Sequence, residues 1–348
     1  MSRIHNLDYL RGLSAFGIMY YHFLSWSLGK FDSSHFLGKF GIYGVAIFYV
    51  LSGLTLYHVY NNRLKFNLES ISNFFKKRFF RIIPLLFLAT ILGLILTLNK
   101  PDYCKLILNI TGLSGLFDWS NYYAPGAWSI GNELVFYLFI PVFIFLNSNS
   151  KISLYIISLI VFSIFVYFAF FGYDDGKDLL DKKQWHTYVN PLNQLFLFLS
   201  GFLIGVLFTK VKFSNLILII ILILSIIVFT FLPISGPTIN LVQDYNRIIY
   251  SFLCIFICFS VYKIDLELPK IFHNIFSFLG EISFSVYLLH PVVFTVFKQI
   301  IKIYEKLFFN LSIYFEIPFL ISITLLVSYL IYNFYEKFFM NLPKITKN

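Results

Sequence analysis

The sequence predicts an all-α integral membrane protein, a polytopic transmembrane bundle of about ten helices. Of its 348 residues, 58% are hydrophobic and only 13% are charged, and the mean hydropathy is +0.77. Soluble domains carry roughly a quarter charged residues. The charges also cluster between long apolar runs instead of alternating with them. No Ser-, Gly- or Pro-rich linker divides the chain, so residues 1–348 are expected to form a single membrane domain.

Ten apolar segments are candidate membrane spans, since crossing a bilayer takes about 20 apolar residues. They are residues 7–27, 41–60, 82–98, 128–146, 152–171, 191–209, 213–232, 247–262, 276–297 and 313–335. The stretch 105–117 is shorter and is broken by Gly112 and Gly115. It could be re-entrant, interfacial or a further crossing, and the count of ten assumes that it does not cross.

The orientation follows from the basic residues in short loops, which stay on the cytoplasmic side. Ten crossings put both termini on one side, together with the 61–81 loop and its six Lys and Arg residues. The opposite side receives the 172–190 loop, whose lysines are offset by aspartates, and the nearly uncharged 233–246 loop. We therefore expect cytoplasmic N- and C-termini, in a bacterial cytoplasmic membrane.

The net charge of +10 is explained by this topology and by anionic membrane lipids, so nucleic acid is not expected as a partner. The three cysteines form no framework. Cys104 is isolated, and Cys254 and Cys258 lie one turn apart in an apolar span without a His or acid at ligand spacing. We expect no metal site.

The first span contains ionisable residues where lipid penalises them, which usually signals a task or a partner. The eleven-residue step from Arg11 to His22 is close to three helical turns, so the two share a face roughly 16 Å apart along the axis. Asp8 lies one turn before Arg11 and can pair with it. The alternative is an interfacial Asp8–Arg11 pair and a His22 that only hydrogen-bonds a neighbouring helix.

Arg78 and Arg81 lie one turn apart at the mouth of the third span. Guanidinium groups bind phosphate oxygens well, which suggests a phosphate-bearing ligand. A positive-inside anchor explains Lys76 and Lys77 and is an equal alternative for the two arginines.

A third group opens the fourth span. Glu133 stands there with Trp128, Ser129 and Asn132 beside it. Its carboxylate could serve as a base or could orient a histidine. An aromatic-belt Trp and a helix-end Glu are the simpler alternative.

A fourth group lies in the ninth span, where Ser283, Tyr287 and His290 share one helix face because steps of four and three residues return to the same stripe. Taken alone, His290 is best interpreted as a packing residue.

In this order, the segments resemble the acyltransferase-3 family of bacterial integral membrane O-acyltransferases, which modify sugars, usually with acetyl groups. The shared landmarks are LDYLRG (7–12) followed by His22, IFYVLSG (47–53), RFFRIIP (78–84), WSIGNE (128–133) and SFSVYLLH (283–290). Departures are conservative: Ile130, Phe284 and Leu85 stand where Leu, Tyr and an aromatic residue are commoner.

The resemblance implies a role for each group. Arg78 and Arg81 would hold the phosphates of acetyl-CoA, and Arg11 with Asp8 would stand at the entrance of a polar passage. His22 would be the general base or the acyl carrier, and Glu133 would support that chemistry. The other predicted site residues would line the passage or the acceptor side: Trp128, Ser129, Asn132, Ser283, Tyr287 and His290. A thioester donor needs no permanently bound cofactor.

The acceptor implied by the resemblance is a lipid-linked or exported glycan. Members with a fused extracytoplasmic SGNH-type domain are longer, so this chain would act alone or pass its acyl group to a separate extracytoplasmic acyltransferase. The rival interpretation is a transporter or flippase for a glycan or a small acyl compound, because charged residues on facing helices also mark substrate paths.

Overall fold

A computed structural model describes residues 4–97, 100–174, 177–307 and 312–345. The described residues form an all-α bundle, which confirms the predicted fold class. Its helices are α1 (His5–Leu28), α2 (Phe36–Tyr60), α3 (Leu68–Thr97), α4 (Tyr103–Thr111), α5 (Ser114–Phe117), α6 (Ala127–Asn149), α7 (Lys151–Phe171), α8 (Lys182–Tyr188), α9 (Pro191–Phe208), α10 (Asn215–Phe231), α11 (Asp244–Lys263), α12 (Lys270–Leu307), α13 (Ile313–Ile331) and α14 (Lys337–Ile345). A 3₁₀ turn occupies Thr238–Leu241, and a π-helical turn occupies Tyr332–Glu336.

Each of the ten predicted spans coincides with a long helix, although residue 98, at the end of the third, lies outside the described residues. Eight candidate spans in the described part of the chain are long and apolar enough to cross a membrane. The other two predicted spans are α1 and α10. Helix α1 is long enough but carries Asp8, Arg11 and His22, whereas α10 has 17 residues and spans about 26 Å. The chain is a multi-pass membrane protein.

The predicted 61–81 loop is wrong over most of its length. Helix α3 begins at Leu68 and runs unbroken to Thr97, so all four basic residues from Lys76 to Arg81 lie on its first turns. The helix starts there because the Asn67 side chain accepts a hydrogen bond from the Ser70 amide at 2.8 Å. No Gly or Pro follows until Pro84. Arg78 and Arg81 are therefore held on a rigid element.

Helices α3 and α6 are antiparallel. Phe66, just before α3, stacks edge-on against Phe145 near the end of α6, with ring centroids 5.2 Å apart. At the other end, Gly93 packs against the backbone of Tyr123, just before α6. The connection that contains α4 and α5 thus starts and ends on one side of the bundle. Helices of nine and four residues are also too short to cross alone, which favours the non-crossing interpretation of 105–117.

Helices α1 and α12 run parallel and in close contact. Gly12 packs against Gly280, and ten residues further along both helices His22 meets His290. A Cβ atom on Gly12 would overlap the backbone of Gly280, so only glycine permits this approach. The first and ninth helices of a ten-span bundle point the same way, as these two do.

Helix α2 lies at the centre of the bundle, between α9 and α11. Gly53 and Gly201 let the backbones of α2 and α9 touch, because a side chain at either position would overlap a main-chain carbonyl of the other helix. Tyr188 donates to the Ile42 carbonyl at 2.8 Å. This packing fixes the face of α2 that carries Ser52 and Thr55.

Arg247 of α11 is a structural cation in this core, with 1% of its surface exposed. Its guanidinium donates to Gln194 Oε1 at 3.0 Å and to the Asn193 carbonyl at 3.4 Å. Three aromatic rings surround it within 5.2–5.7 Å: Tyr43, Phe165 and Tyr188. Cation–π contacts and neutral acceptors therefore stabilise this charge.

Candidate active site

A polar cavity of about 340 Å³ lies inside the bundle between α1, α2, α3, α6 and α12. The π-helical turn and α14 close one of its sides through Tyr332, Glu336 and Met340. Eight of the twelve predicted site residues line it: Asp8, Arg11, Arg78, Arg81, Ser129, Glu133, Ser283 and Tyr287. The structure therefore brings together residues from four distant segments of the chain.

The three arginines of the cavity differ in what holds them. Arg11 pairs with Asp8 at 3.1 Å and donates to Thr55 Oγ1 at 3.0 Å, which confirms the predicted pair within α1. Arg78 donates to Tyr60 Oη at 3.1 Å, but its Nε is buried without a hydrogen-bond partner. Arg81 has no hydrogen bond to any residue in the described part of the chain.

Glu133 is held by hydroxyl groups. Its Oε1 accepts hydrogen bonds from Ser52 Oγ and Tyr137 Oη, both at 2.5 Å. The sequence interpretation allowed Glu133 to orient a histidine, but both of these hydrogen bonds come from hydroxyls. The carboxylate instead lines the cavity together with the arginines, whose positive charge it partly offsets.

Tyr287 closes the end of the cavity opposite the arginines. Its hydroxyl lies 2.7 Å from Ser129 Oγ and also donates to the Gly126 carbonyl at 3.3 Å. Gly126 has a φ of +84° at the start of α6, a conformation that favours glycine. The chain turns tightly there and presents Gly126 and Ser129 to the tyrosine.

His22 and His290 lie beyond Tyr287 and do not belong to the cavity wall. His22 Nδ1 is 2.8 Å from His290 Nε2, and the Tyr287 and His290 ring centroids are 6.2 Å apart. Trp26, which is 39% exposed, stacks on His22 at a centroid distance of 4.7 Å and an interplanar angle of 2°. The sequence spacing predicts that His22 shares a helix face with Arg11, but it does not predict that His290 is the partner of His22.

Trp128 and Asn132 also lie outside the cavity wall. Trp128 packs against Trp185 and Tyr188 with centroids 5.8 and 5.7 Å away. The Asn132 amide donates to the Val189 carbonyl at 3.0 Å. Both side chains join α6 to the α8–α9 region and so hold the wall that carries Ser129 and Glu133.

Several cavity residues escaped the sequence analysis: Ser52, Thr55, Tyr137, Glu281 and Glu336. Tyr137 had a usable signal, because it stands four residues after Glu133 on the same helix face. Glu336 had another, because an acid at the end of an apolar run is costly in lipid. The π-helical turn directs Glu336 to Ser285, whose hydroxyl donates to its carboxylate.

No group of three His, Cys, Asp or Glu side chains able to hold a metal ion occurs among the residues that the structure describes. The cysteines there are free thiols, and Cys254 and Cys258 are buried in the packing of α11.

These features define a class of protein: an all-α, multi-pass membrane protein with an internal arginine- and carboxylate-lined cavity next to a histidine pair. A family model described as an acyltransferase domain matches residues 4–333. The chain therefore belongs to the acyltransferase-3 family and is a membrane acyltransferase. Searches of the curated proteins and of the solved structures found no match.

Proposed function

We propose that this protein is an O-acetyltransferase of a bacterial cytoplasmic membrane. It transfers the acetyl group of cytoplasmic acetyl-CoA to a hydroxyl of a cell-envelope or exported polysaccharide. The observation that carries this proposal is the cavity itself, which has arginines with unused hydrogen-bond donors at one end and a tyrosine at the other, beside the His22–His290 pair. The family supports acyl transfer in general; the donor, the acceptor and the residue roles are our proposal.

Donor binding by Arg78 and Arg81 is supported by their free hydrogen-bonding capacity. Arg11 is already committed to Asp8 and Thr55. Arg81 has no hydrogen-bond partner among the described residues, and Arg78, which donates to Tyr60, keeps a buried Nε without one. Unpaired guanidinium donors at a cavity favour a phosphate-bearing ligand. A volume of 340 Å³ is at the lower end for ligand pockets. The cavity would thus take the acylated pantetheine arm, with the nucleotide at the basic mouth.

The acyl group would move from the cavity past Tyr287 to His22. The Tyr287–Ser129 hydrogen bond separates the two regions, so the thioester reaches His22 when this contact opens or shifts. His22 would then either take the proton of the acceptor hydroxyl or take the acetyl group itself. Glu133, held by Ser52 and Tyr137, would partly offset the positive charge of the arginines during this movement.

A sugar acceptor is supported by the surroundings of His22. The indole of Trp26 is 39% exposed and lies parallel to the His22 ring. A tryptophan offers a wide flat apolar face together with a polar N–H, which suits the mixed apolar and hydroxylated surface of a sugar ring. An acceptor held beside Trp26 would bring a hydroxyl close to the His22 ring that stacks on this indole.

The test uses purified protein in liposomes with acetyl-CoA on the side of Arg78 and an envelope glycan on the other. We expect acetylated glycan that depends on acetyl-CoA and disappears in the His22→Ala variant. Movement of unmodified glycan without any donor would instead identify a transporter. A deletion strain whose envelope glycans keep all their O-acetyl groups by mass spectrometry would refute the proposed acceptor.

A further inference from the structure

We infer that His290 is a positioning residue that holds His22 in one tautomer, with the proton on Nδ1 and a bare lone pair on Nε2. His290 would thereby decide which nitrogen of His22 meets the reacting atoms. The importance of this for acyl transfer rests on the proposed function, whereas the tautomer itself does not.

The tautomer follows from a chain of hydrogen bonds that starts at the backbone. His290 Nδ1 lies 3.0 Å from the Val286 carbonyl oxygen, one turn earlier in α12. A carbonyl oxygen only accepts hydrogen bonds, so His290 Nδ1 carries a proton. In a neutral imidazole the other nitrogen is then an acceptor. His290 Nε2 is 2.8 Å from His22 Nδ1, so His22 must donate through Nδ1. Its own Nε2 remains unprotonated.

The neutral form of His290 is supported by its surroundings. The side chain is 1% exposed, and its ring neighbours are Phe23, Trp26 and Tyr287 besides His22. None of these is an anion, and a buried cation without a charged partner is strongly disfavoured. A neutral His290 has only one N–H donor, and this donor forms a hydrogen bond with the Val286 carbonyl.

Packing keeps the ring of His22 in place for this arrangement. One face of the His22 ring lies against Trp26, and the two ring planes differ by 2°. The plane of the His22 ring is also nearly parallel to that of His290, with an angle of 14° between them. Rotation of His22 would break the stack and the hydrogen bond together. Its Nε2 has no hydrogen-bond partner among the described residues, so the lone pair is available to a substrate.

A bare Nε2 is what both proposed chemistries require. In direct transfer, the acceptor O–H bond breaks and its proton goes to Nε2, while the new O–C bond forms and the thioester C–S bond breaks. The departing CoA thiolate then takes this proton from Nε2. In a relay, Nε2 forms a bond to the acyl carbon as the C–S bond breaks and CoA leaves as a thiolate. The acceptor oxygen then bonds to the acyl carbon as the Nε2–C bond breaks, and the acceptor proton goes to the thiolate. In each case His290 Nε2 keeps accepting from Nδ1 of the cationic ring.

The kinetic test compares His290→Leu, which removes the acceptor, with His290→Gln, whose amide oxygen can still accept from His22. If His22 adopts the other tautomer, its Nε2 carries a proton and cannot act as a general base. General-base catalysis contributes about 10²–10⁴-fold to the rate. We expect kcat to fall by roughly 10²-fold or more in His290→Leu with an unchanged KM for acetyl-CoA, and to recover substantially in His290→Gln. His273→Leu is the matched control, because His273 also joins α12 to α1, through Tyr9 at 2.5 Å, outside the cavity. Equal losses in the Leu and Gln variants would overturn the proposal.

A direct measurement needs no turnover. Nitrogen-15 solid-state NMR of the histidine-labelled wild-type protein in lipid separates protonated from bare ring nitrogens, and His22→Gln assigns the His22 signals. We expect a protonated Nδ1 and a bare Nε2 at His22 in the wild type, and a mixed population in His290→Leu. A protonated Nε2 in the wild type would overturn the inference. If acetyl-CoA-dependent transfer is never observed, the proposed function fails while this spectrum still decides the tautomer.

Discussion

Removing the Arg81 guanidinium should weaken donor binding with little effect on the fold. Arg81 lines the cavity but has no hydrogen bond to the described residues, so Arg81→Ala removes no internal contact of this kind. A hydrogen bond between charged groups is worth about 1.5–3 kcal/mol, which corresponds to roughly 10- to 150-fold weaker binding. Arg78→Ala should cost stability as well, because Arg78 also bonds Tyr60 and stacks over two tyrosine rings.

The assay is the apparent acetyl-CoA Kd of protein in liposomes, together with kcat and thermal stability. Lys77→Ala is the matched control, since Lys77 is an exposed cation on the same helix that does not line the cavity. We expect the Arg81 effect to exceed the Lys77 effect at every ionic strength, because exposed charges are screened by salt more than partly buried ones. Equal donor dependence in the two variants would return Arg81 to a purely topological role.

Three further predictions concern the rest of the site and the topology. His22→Ala should lower transfer by at least about 10²-fold while the protein still inserts, since insertion depends on apolar length. The control is His35→Ala, because His35 is exposed. Near-normal turnover of the purified His22→Ala variant would show that His22 is a packing residue. Glu133→Gln should lower kcat and raise the acetyl-CoA requirement, because an amide keeps the two hydroxyl contacts but loses the charge beside the arginines; unchanged kinetics would contradict this. Single-cysteine labelling in a cysteine-free background should reach positions 65 and 180 from opposite sides of the membrane, and labelling from the same side would reveal an uncounted crossing.

Much of the architecture could be predicted because it is a property of continuous stretches of chain. A bilayer imposes a length and an apolar composition on every span, and both are visible in the sequence. All ten predicted segments coincide with helices, and the Asp8–Arg11 pair forms because residues three apart share a helix face. The start of α3 differs from the prediction because the charge pattern predicts a loop, whereas these charged residues continue a helix that leaves the apolar region.

The site could be predicted only in part, because its residues meet across distant helices. Periodicity indicated that Arg11 and His22 share one face of α1, but it could not show that Tyr287 separates the arginine cavity from His22. Their positions next to Glu133 in the sequence predict that Trp128 and Asn132 belong to the site, yet both side chains pack outside the cavity wall. Their neighbours Ser129 and Glu133 face it, because successive helical residues point about 100° apart.

Composition and local spacing specify the membrane environment, the positions of the helices and the polar residues that they carry. The tertiary structure alone decided which polar groups touch: the carboxylate of Glu133 with Ser52 and Tyr137, and His22 with His290. The physical reason is that a hydrogen bond requires two groups within about 3 Å. That proximity depends on helix direction, register and the glycines that let α1 and α12 touch, and no local pattern in the chain encodes all three together.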